Sequence, residues 1–414
     1  MLLKKMNNLQ FKNKNIEKIV KKIVVGLDKT PLFHDFADYA PFLLAFKQDL
    51  FVERQIELLK DNIYRNKVFV KDSDTHYRLS DNYEILYGLI EIYRINKSED
   101  TFKLLDYLLD NCIDKFVVND KVISSRHIAS NIPSLRVSYY CYSIVEILTD
   151  MYDITKESKY ISKAEKIVLR FFSNPYYNKY NLIPLGSYLF FEKSLSKIRF
   201  PRTSFMGKNF SLIFGLIEYY RITRDSSIYD HIKRILNSIN NNMVMDRIVY
   251  RQYRPKQDSR TQPNLAAAFL YMNILNRAFY ILKDNIYIRR SESIADFWIQ
   301  QQSDIGLFPF NHKGRRSWID SETDFSIALL ELYELSGNKI YYNAARKCYN
   351  AINKYNLEFS SVNIKTGMPE ENVYLKSYFT TDKFSGLFLK LCYYFENDKK
   401  IFGDGGLYTF LRDR

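Results

Sequence analysis

Four stretches of the chain repeat one pattern of helix, joint and helix, and that repeat restricts the fold more than any other feature. They are LIEIYRINKSEDTFKLLDYLL, VEILTDMYDITKESKYISKAEKIV, GLIEYYRITRDSSIYDHIKRIL and ALLELYELSGNKIYYNAARKCYNAI. Each ends a helical pattern at Tyr-x-Ile/Leu: Tyr93–Ile95, Tyr152–Ile154, Tyr220–Ile222 and Tyr333–Leu335. A short polar residue follows at the joint (Asn96, Thr155, Thr223, Ser336), where it is expected to cap the next helix. An aromatic then falls in that helix's first turn: Phe102, Tyr160, Tyr229 or Tyr341. A degenerate fifth copy runs through Tyr280, Leu282 and Tyr287. Joints this short make each pair of helices antiparallel. One hairpin cannot bury its apolar faces alone, so several must stack.

Extended along the chain, the pattern predicts first helices near 36–47, 82–96, 138–154, 208–223, 263–281, 321–336 and 377–396. Second helices are predicted near 50–64, 99–116, 157–173, 227–241, 285–301 and 338–355, with an N-terminal helix near 12–26. First helices such as NLAAAFLYMNILNRAFYIL are apolar almost all round, as an inner layer requires; second helices such as YDHIKRILNSINNN keep a charged face. The expectation is one all-α domain over residues 1–414, an (α/α)6 or (α/α)7 toroid with inner and outer rings. The composition agrees: 46% hydrophobic residues supply a large core, and 13 Gly with 10 Pro supply little turn chemistry for a many-stranded β fold. Connections between hairpins are long, as at 174–207 and 356–376, and should gather at the N-termini of the first helices. That end is where a site is expected.

The formal charge of +14 favours anionic partners: acidic glycans, nucleic acid or a phospholipid surface. A codon bias towards Lys would produce the same excess without function. Four scattered cysteines, Cys112, Cys141, Cys348 and Cys392, fit neither a zinc ribbon nor a disulfide framework. The N-terminus lacks the pattern of a secretory signal, and no run of 18 uninterrupted apolar residues suggests a membrane span. A cytoplasmic protein is the expectation, with oligomeric state open.

Chemistry-bearing residues concentrate in the segments leading into the first helices. Four of five histidines, His34, His76, His127 and His312, lie there, whereas His231 falls on a second helix. So do Arg78, Arg126, Arg136, Arg202, Arg251, Arg254, Arg260, Arg315 and Arg316, whose guanidinium forks suit carboxylate, sulfate or phosphate. The competing expectation is that arginines tie the loops to backbone carbonyls. Carboxylates at Asp35, Asp38, Asp81, Asp320, Glu322 and Asp324 fit caps or first-turn acids. Asp38 and Asp324 lie deeper than capping requires, and Asp320 shares a helix face with Asp324. Tyr83, Tyr139, Tyr140, Tyr253, Trp318 and Tyr378 could stack on sugar rings or simply pack the loops. Phosphate loops, dinucleotide fingerprints, zinc-protease motifs and nucleophile elbows are all missing, and no metal or cofactor is expected.

The hairpin repeat, clearest in LLELYELSGNKIYYNAA, resembles the α/α-toroid carbohydrate-active superfamily. That group includes unsaturated glucuronyl hydrolases, N-acylglucosamine 2-epimerases, uronate epimerase catalytic domains and toroid polysaccharide lyases. The resemblance implies a carbohydrate substrate at the loop-rich end of the inner ring; it assigns no catalytic residue. The residues themselves suggest an acidic oligosaccharide or polysaccharide bound by Arg78, Tyr83, Arg136, Arg202, Arg254, Arg260, His312, Arg316 and Trp318. In hydrolysis, Asp38, Asp320 or Asp324 would act as acid and base. In β-elimination, Arg136, Arg254 or Arg316 would neutralise the uronate while His127 or a tyrosine removed the α-proton. Epimerisation and non-catalytic glycan binding in surface-polysaccharide assembly stay open. Nucleic acid is the weaker partner, because these arginines sit at helix starts and form no stripe along an outer face.

Overall fold

The computed structural model describes residues 14–29, 31, 33, 36–71, 74–134, 136–137, 142–184, 187–188, 204–355, 361–368 and 388–395. Helices α1 (Lys14–Lys29), α2 (Phe36–Ala45), α3 (Asp49–Asn66), α4 (Leu79–Asn96), α5 (Glu99–Phe116), α6 (Ser143–Thr155), α7 (Ser158–Phe172) and α8 (Pro175–Tyr180) are followed by six more. These are α9 (Met206–Thr223), α10 (Ser226–Met243), α11 (Leu265–Leu282), α12 (Asn285–Ile299), α13 (Ile319–Ser336) and α14 (Lys339–Tyr355), and residues 388–395 are also helical. Six complete hairpins stand among the described residues, and α8 is an additional short helix. Of the predicted last first-helix, 377–387 lies outside those residues.

The chain forms two compact units. The first comprises residues 1–69, 84–107 and 299–414; the second comprises 70–83 and 108–298. In the second, first helices α6, α9 and α11 pack side by side. Most of α11 is buried, whereas α10 buries only the stripe Ile228, Ile232, Ile235, Leu236, Ile239 and Met243. By length and composition α11 would pass for a membrane-crossing helix, yet it carries buried Asn273, Asn276 and Arg277. Arg277 donates to Glu218 of α9 through Nε at 2.7 Å and through Nη2, while its buried Nη1 has no hydrogen-bond partner. In the first unit, α13 packs on α14 and α2 on α3.

The joints correct the sequence reading in detail. Thr155, Thr223 and Ser336 do not cap the next helix. Each donates to the carbonyl four residues back, at 2.7–2.9 Å, and accepts the amide two residues on, at 3.1–3.4 Å. Asn96 likewise accepts the Ser98 amide. The second helices are capped instead from the far side of the joint, by Ser98, Asp225, Asp284 and Asn338. The aromatic wedge is real for Tyr93–Phe102 and Tyr220–Tyr229, at 5.3 and 5.7 Å between centroids. Tyr333 meets Tyr342 at 5.3 Å rather than the expected Tyr341, which is buried in its own right.

Three further positions of the repeat become visible. Two residues before the joint tyrosine stands a buried acid: Glu91, Asp150, Glu218 and Glu331. Four residues after it the backbone turns left-handed, at Lys97, Lys156, Arg224 and Gly337. Glycine is the usual occupant of that conformation. Here Lys97, Lys156 and Arg224 sit over the ring of the same tyrosine, 5.3–5.7 Å from its centroid. A cation at the helix C-terminus and over an aromatic face offsets part of the backbone cost. Five residues before the tyrosine, Gly88 and Gly215 let neighbouring first helices approach closely. A Cβ on Gly88 would stand 2.4 Å from Cδ1 of fully buried Phe36. Gly88→Ala is therefore expected to lower the unfolding free energy by about 2 kcal/mol, read from a urea denaturation midpoint.

Candidate functional site

The segments predicted as plain connections hold short antiparallel ladders. Strands β1 (His76–Arg78), β2 (Val117–Val118), β3 (Lys121–Val122), β4 (Ser125–His127), β5 (Arg136–Val137) and β6 (Ser187–Tyr188) come first. β7 (Ser204–Phe205), β8 (Val244–Met245), β9 (Ile248–Arg254), β10 (Ser259–Pro263), β11 (Arg316–Trp318) and β12 (Ser361–Asn363) follow. β1, β7 and β11 run directly into α4, α9 and α13, and β10 ends two residues before α11. Four pairs, β1–β4, β5–β6, β7–β9 and β11–β12, join the strand before a hairpin to one after it. Each first helix so entered has its N-terminus fixed by backbone hydrogen bonds rather than by a free loop.

In the first unit, the loop before α13 encloses an open cleft of about 480 Å³ lined by Phe310, Asn311, Gly314, Arg315, Arg316, Trp318 and Asn363. Phe310 and Trp318 stack face to face, 4.0 Å between centroids and 11° from parallel. The loop closes on itself through Phe310 N–H to the Arg316 carbonyl and Gly314 N–H to the Asn311 carbonyl, both at 2.7 Å. Asn363 enters from β12, directly opposite Arg316 in the ladder. Arg315 and Arg316 are exposed, and no carboxylate among the described residues pairs with Arg315. Two cations beside an aromatic stack are suited to an anionic ring-shaped ligand. His312, predicted to bind substrate, lies on the same loop but outside the cleft lining. Its Nδ1 meets Gln301 Oε1 at 2.8 Å, and burial with nearby Lys313 pushes its pKa down.

The same unit brings together two carboxylates singled out in the sequence. Asp38, in the first turn of α2, and Asp324, in the second turn of α13, both act on the ammonium of Lys390. Lys390 is 4% exposed. Burial pulls its pKa down, opposed by Glu331, Asp324, Asp38 and Glu91 in that order. Glu91 and Glu331 are buried, whereas Asp38 and Asp324 are half-exposed. Glu91 is also paired with Arg94 at 2.5 Å. Asp320 is not among the charges that act on Lys390; it is a first-turn acid of α13 whose Oδ1 accepts the Ser321 amide at 2.6 Å.

In the second unit His127 stands opposite His76 across β1–β4, with rings edge to face at 5.0 Å. His127 Nδ1 accepts the Ser130 amide at 3.2 Å. The Ser130 hydroxyl meets the same Nδ1 at 3.0 Å, so this nitrogen is engaged within its own loop. Arg126 and Arg260 tie loops together, as the competing expectation had it. Arg126 donates to the Lys115 and Asn131 carbonyls, and Arg260 to the Asn242 carbonyl. Arg78 pairs with Asp74 at 3.4 Å, Tyr83 is buried in the second turn of α4, and Arg254 ends β9 exposed. Tyr253 is buried and donates to Asp258 at 3.1 Å. Arg136 takes part in β5 through its backbone, while His34, Asp35, Tyr139, Tyr140, Arg202 and Tyr378 lie outside the described residues.

Sequence reasoning missed Lys390, Glu91 and Glu331. The signal for the two glutamates was present, an acid two residues before the joint tyrosine inside an otherwise apolar helix. Lys390 carried none, because an isolated Lys in a Lys-rich chain is unremarked.

No protein-family model and no curated protein matches the sequence. Solved structures match across most of it. The cellobiose 2-epimerase from Bacillus thermoamylovorans B4167 has a TM-score of 0.57 at 13% identity, over 74% of this chain and 86% of its own. A glycoside hydrolase of family 105 from C. acetobutylicum ATCC 824 has a TM-score of 0.55 at 15% identity, over 82% and 99%. The unsaturated glucuronyl hydrolase from Streptococcus agalactiae has a TM-score of 0.56 at 12% identity, over 85% and 91%. Likeness at such identities establishes the fold and nothing finer: the chain is an all-α, α/α toroid of helical hairpins, the fold of these carbohydrate-active enzymes.

Proposed function

We propose that the protein is a single-domain carbohydrate-active enzyme that hydrolyses an acidic oligosaccharide, with Asp38 and Asp324 as its acid–base pair. The observation that carries this reading is that these two half-exposed carboxylates, from separate helices, both act electrostatically on one buried ammonium. In hydrolysis one carboxyl gives its proton to the glycosidic oxygen as the anomeric C–O bond breaks. The other carboxylate takes a proton from the water that bonds to the anomeric carbon. Lys390 fixes both groups by charge from a position solvent barely reaches. The Arg315–Arg316 cleft with its aromatic stack would hold a carboxylated or sulfated sugar. Hydrolysis is favoured over β-elimination because two half-exposed carboxylates act on one ammonium, whereas His127 Nδ1 is engaged by Ser130.

Asp38→Asn and Asp324→Asn are each expected to lower kcat by about 10²–10⁴ on an oligouronate panel followed by reducing-end assay, with binding retained. Unchanged turnover in the Asp38→Asn/Asp324→Asn double variant would sink the assignment. A second reading has its own support, since no carboxylate lines the cleft itself. A non-catalytic glycan binder predicts oligouronate affinity with no turnover in the wild type.

A further inference from the structure

Glu322 is the most deeply buried carboxylate among the described residues of the first unit, at 0% exposure. It lies in the first turn of α13, where a cap or dipole partner would face the solvent. Its contacts run elsewhere. Oε1 accepts the Phe308 amide at 2.6 Å and the Ser317 hydroxyl, and Oε2 accepts the Cys348 thiol of α14 at 3.0 Å. Phe308 and Ser317 are the two ends of the loop that carries Phe310, Asn311, Gly314, Arg315 and Arg316. Trp318 follows Ser317 directly. One buried carboxylate thus draws both ends of the cleft loop together and pins them to α14.

We infer that Glu322 is a positioning residue for the candidate saccharide cleft, holding the Phe310–Trp318 stack and the two arginines in register through the loop ends. The cleft's ligand class rests on the proposed function; the positioning role rests only on the hydrogen bonds. The groups facing the carboxyl are Phe308 N–H and the Ser317 hydroxyl from the loop, the Cys348 thiol from α14, and Asp320 from its own helix. Burial dominates, and it pushes the Glu322 pKa up to about 8 against the pull of the three donors. Loss of its proton strengthens all three hydrogen bonds at the expense of solvation, so the loop ends and the stack should respond to pH.

The test uses the full chain and two readouts. The first is the near-UV circular dichroism of the stacked Trp318, taken as the part of the signal lost in Trp318→Phe. The wild type is expected to show a transition centred near pH 8, and Glu322→Gln, which keeps shape without ionising, a flat profile. The second is the affinity for trigalacturonate across pH 6–9, which should change several-fold in the wild type and hold constant in Glu322→Gln. A Glu322→Gln protein with the wild-type pH profile in the Trp318 signal overturns the inference. If the spectroscopic transition is present but trigalacturonate does not bind, the positioning role stands and the acidic-sugar reading falls.

Discussion

A Glu218→Leu variant is expected to lose about 3–5 kcal/mol of stability, seen as a lower urea midpoint with an unchanged m-value. Glu218 is fully buried, and it is the partner of two guanidinium groups. Arg277, 1% exposed, donates to it through Nε and Nη2, while Arg221 donates through Nε at 2.7 Å. Deleting the carboxylate leaves the buried Arg277 charge with no ion-pair partner among the described residues. Arg221 fares better, because it keeps Asp153 and part of its surface in water. The comparison that isolates the cause is Glu218→Leu/Arg277→Leu. Replacing both members of a buried pair by apolar residues costs far less than replacing one. The double variant should therefore recover most of the lost stability, and equal destabilisation of single and double variants would refute this account.

Raising the pH from 5 to 9 is expected to remove about 4 kcal/mol of the stability that distinguishes the wild type from Glu322→Gln. In the unfolded chain this carboxyl ionises near the ordinary 4.5, and in the folded protein burial holds it protonated up to about 8. Between those values the folded state binds the proton more strongly than the unfolded state, so stability falls as pH rises. The contribution is complete below about 4.5 and gone above about 8. Glutamine cannot ionise, so its stability lacks this slope. Parallel pH dependence in the two proteins, measured by chemical denaturation, would exclude Glu322 as the titrating group.

Much of the fold was readable because a short joint forces its consequences locally. All six described hairpins begin and end within a few residues of the limits predicted from Tyr-x-Ile/Leu and helical periodicity. The ladders were not readable in the same way. Strands of two or three residues, such as Arg136–Val137 and Ser204–Phe205, are too short to show alternation, and they pair across 50 residues or so. Two tight hairpins could have been found. VVNDKV and VMDRIV place Asn119, Asp120, Asp246 and Arg247 in left-handed backbone, the mark of a two-residue turn. Side-chain roles were less legible still. Asp38 and Asp324 stood out because capping explained them poorly, yet only the folded chain brings both to act on Lys390. Glu322 and Asp320, two residues apart on one helix, have opposite environments that no local pattern distinguishes.

The strand pairs that bracket hairpins also bear on how such a chain can change. A bracketed hairpin is closed by its own backbone bonds where it leaves and where it returns, so insertions outside the bracket need not strain the helices. Sequence can then grow, shorten or be exchanged between one bracket and the next while each helix start keeps its place. In a chain built this way, drift in the segments between brackets would erase sequence similarity long before it erased the architecture.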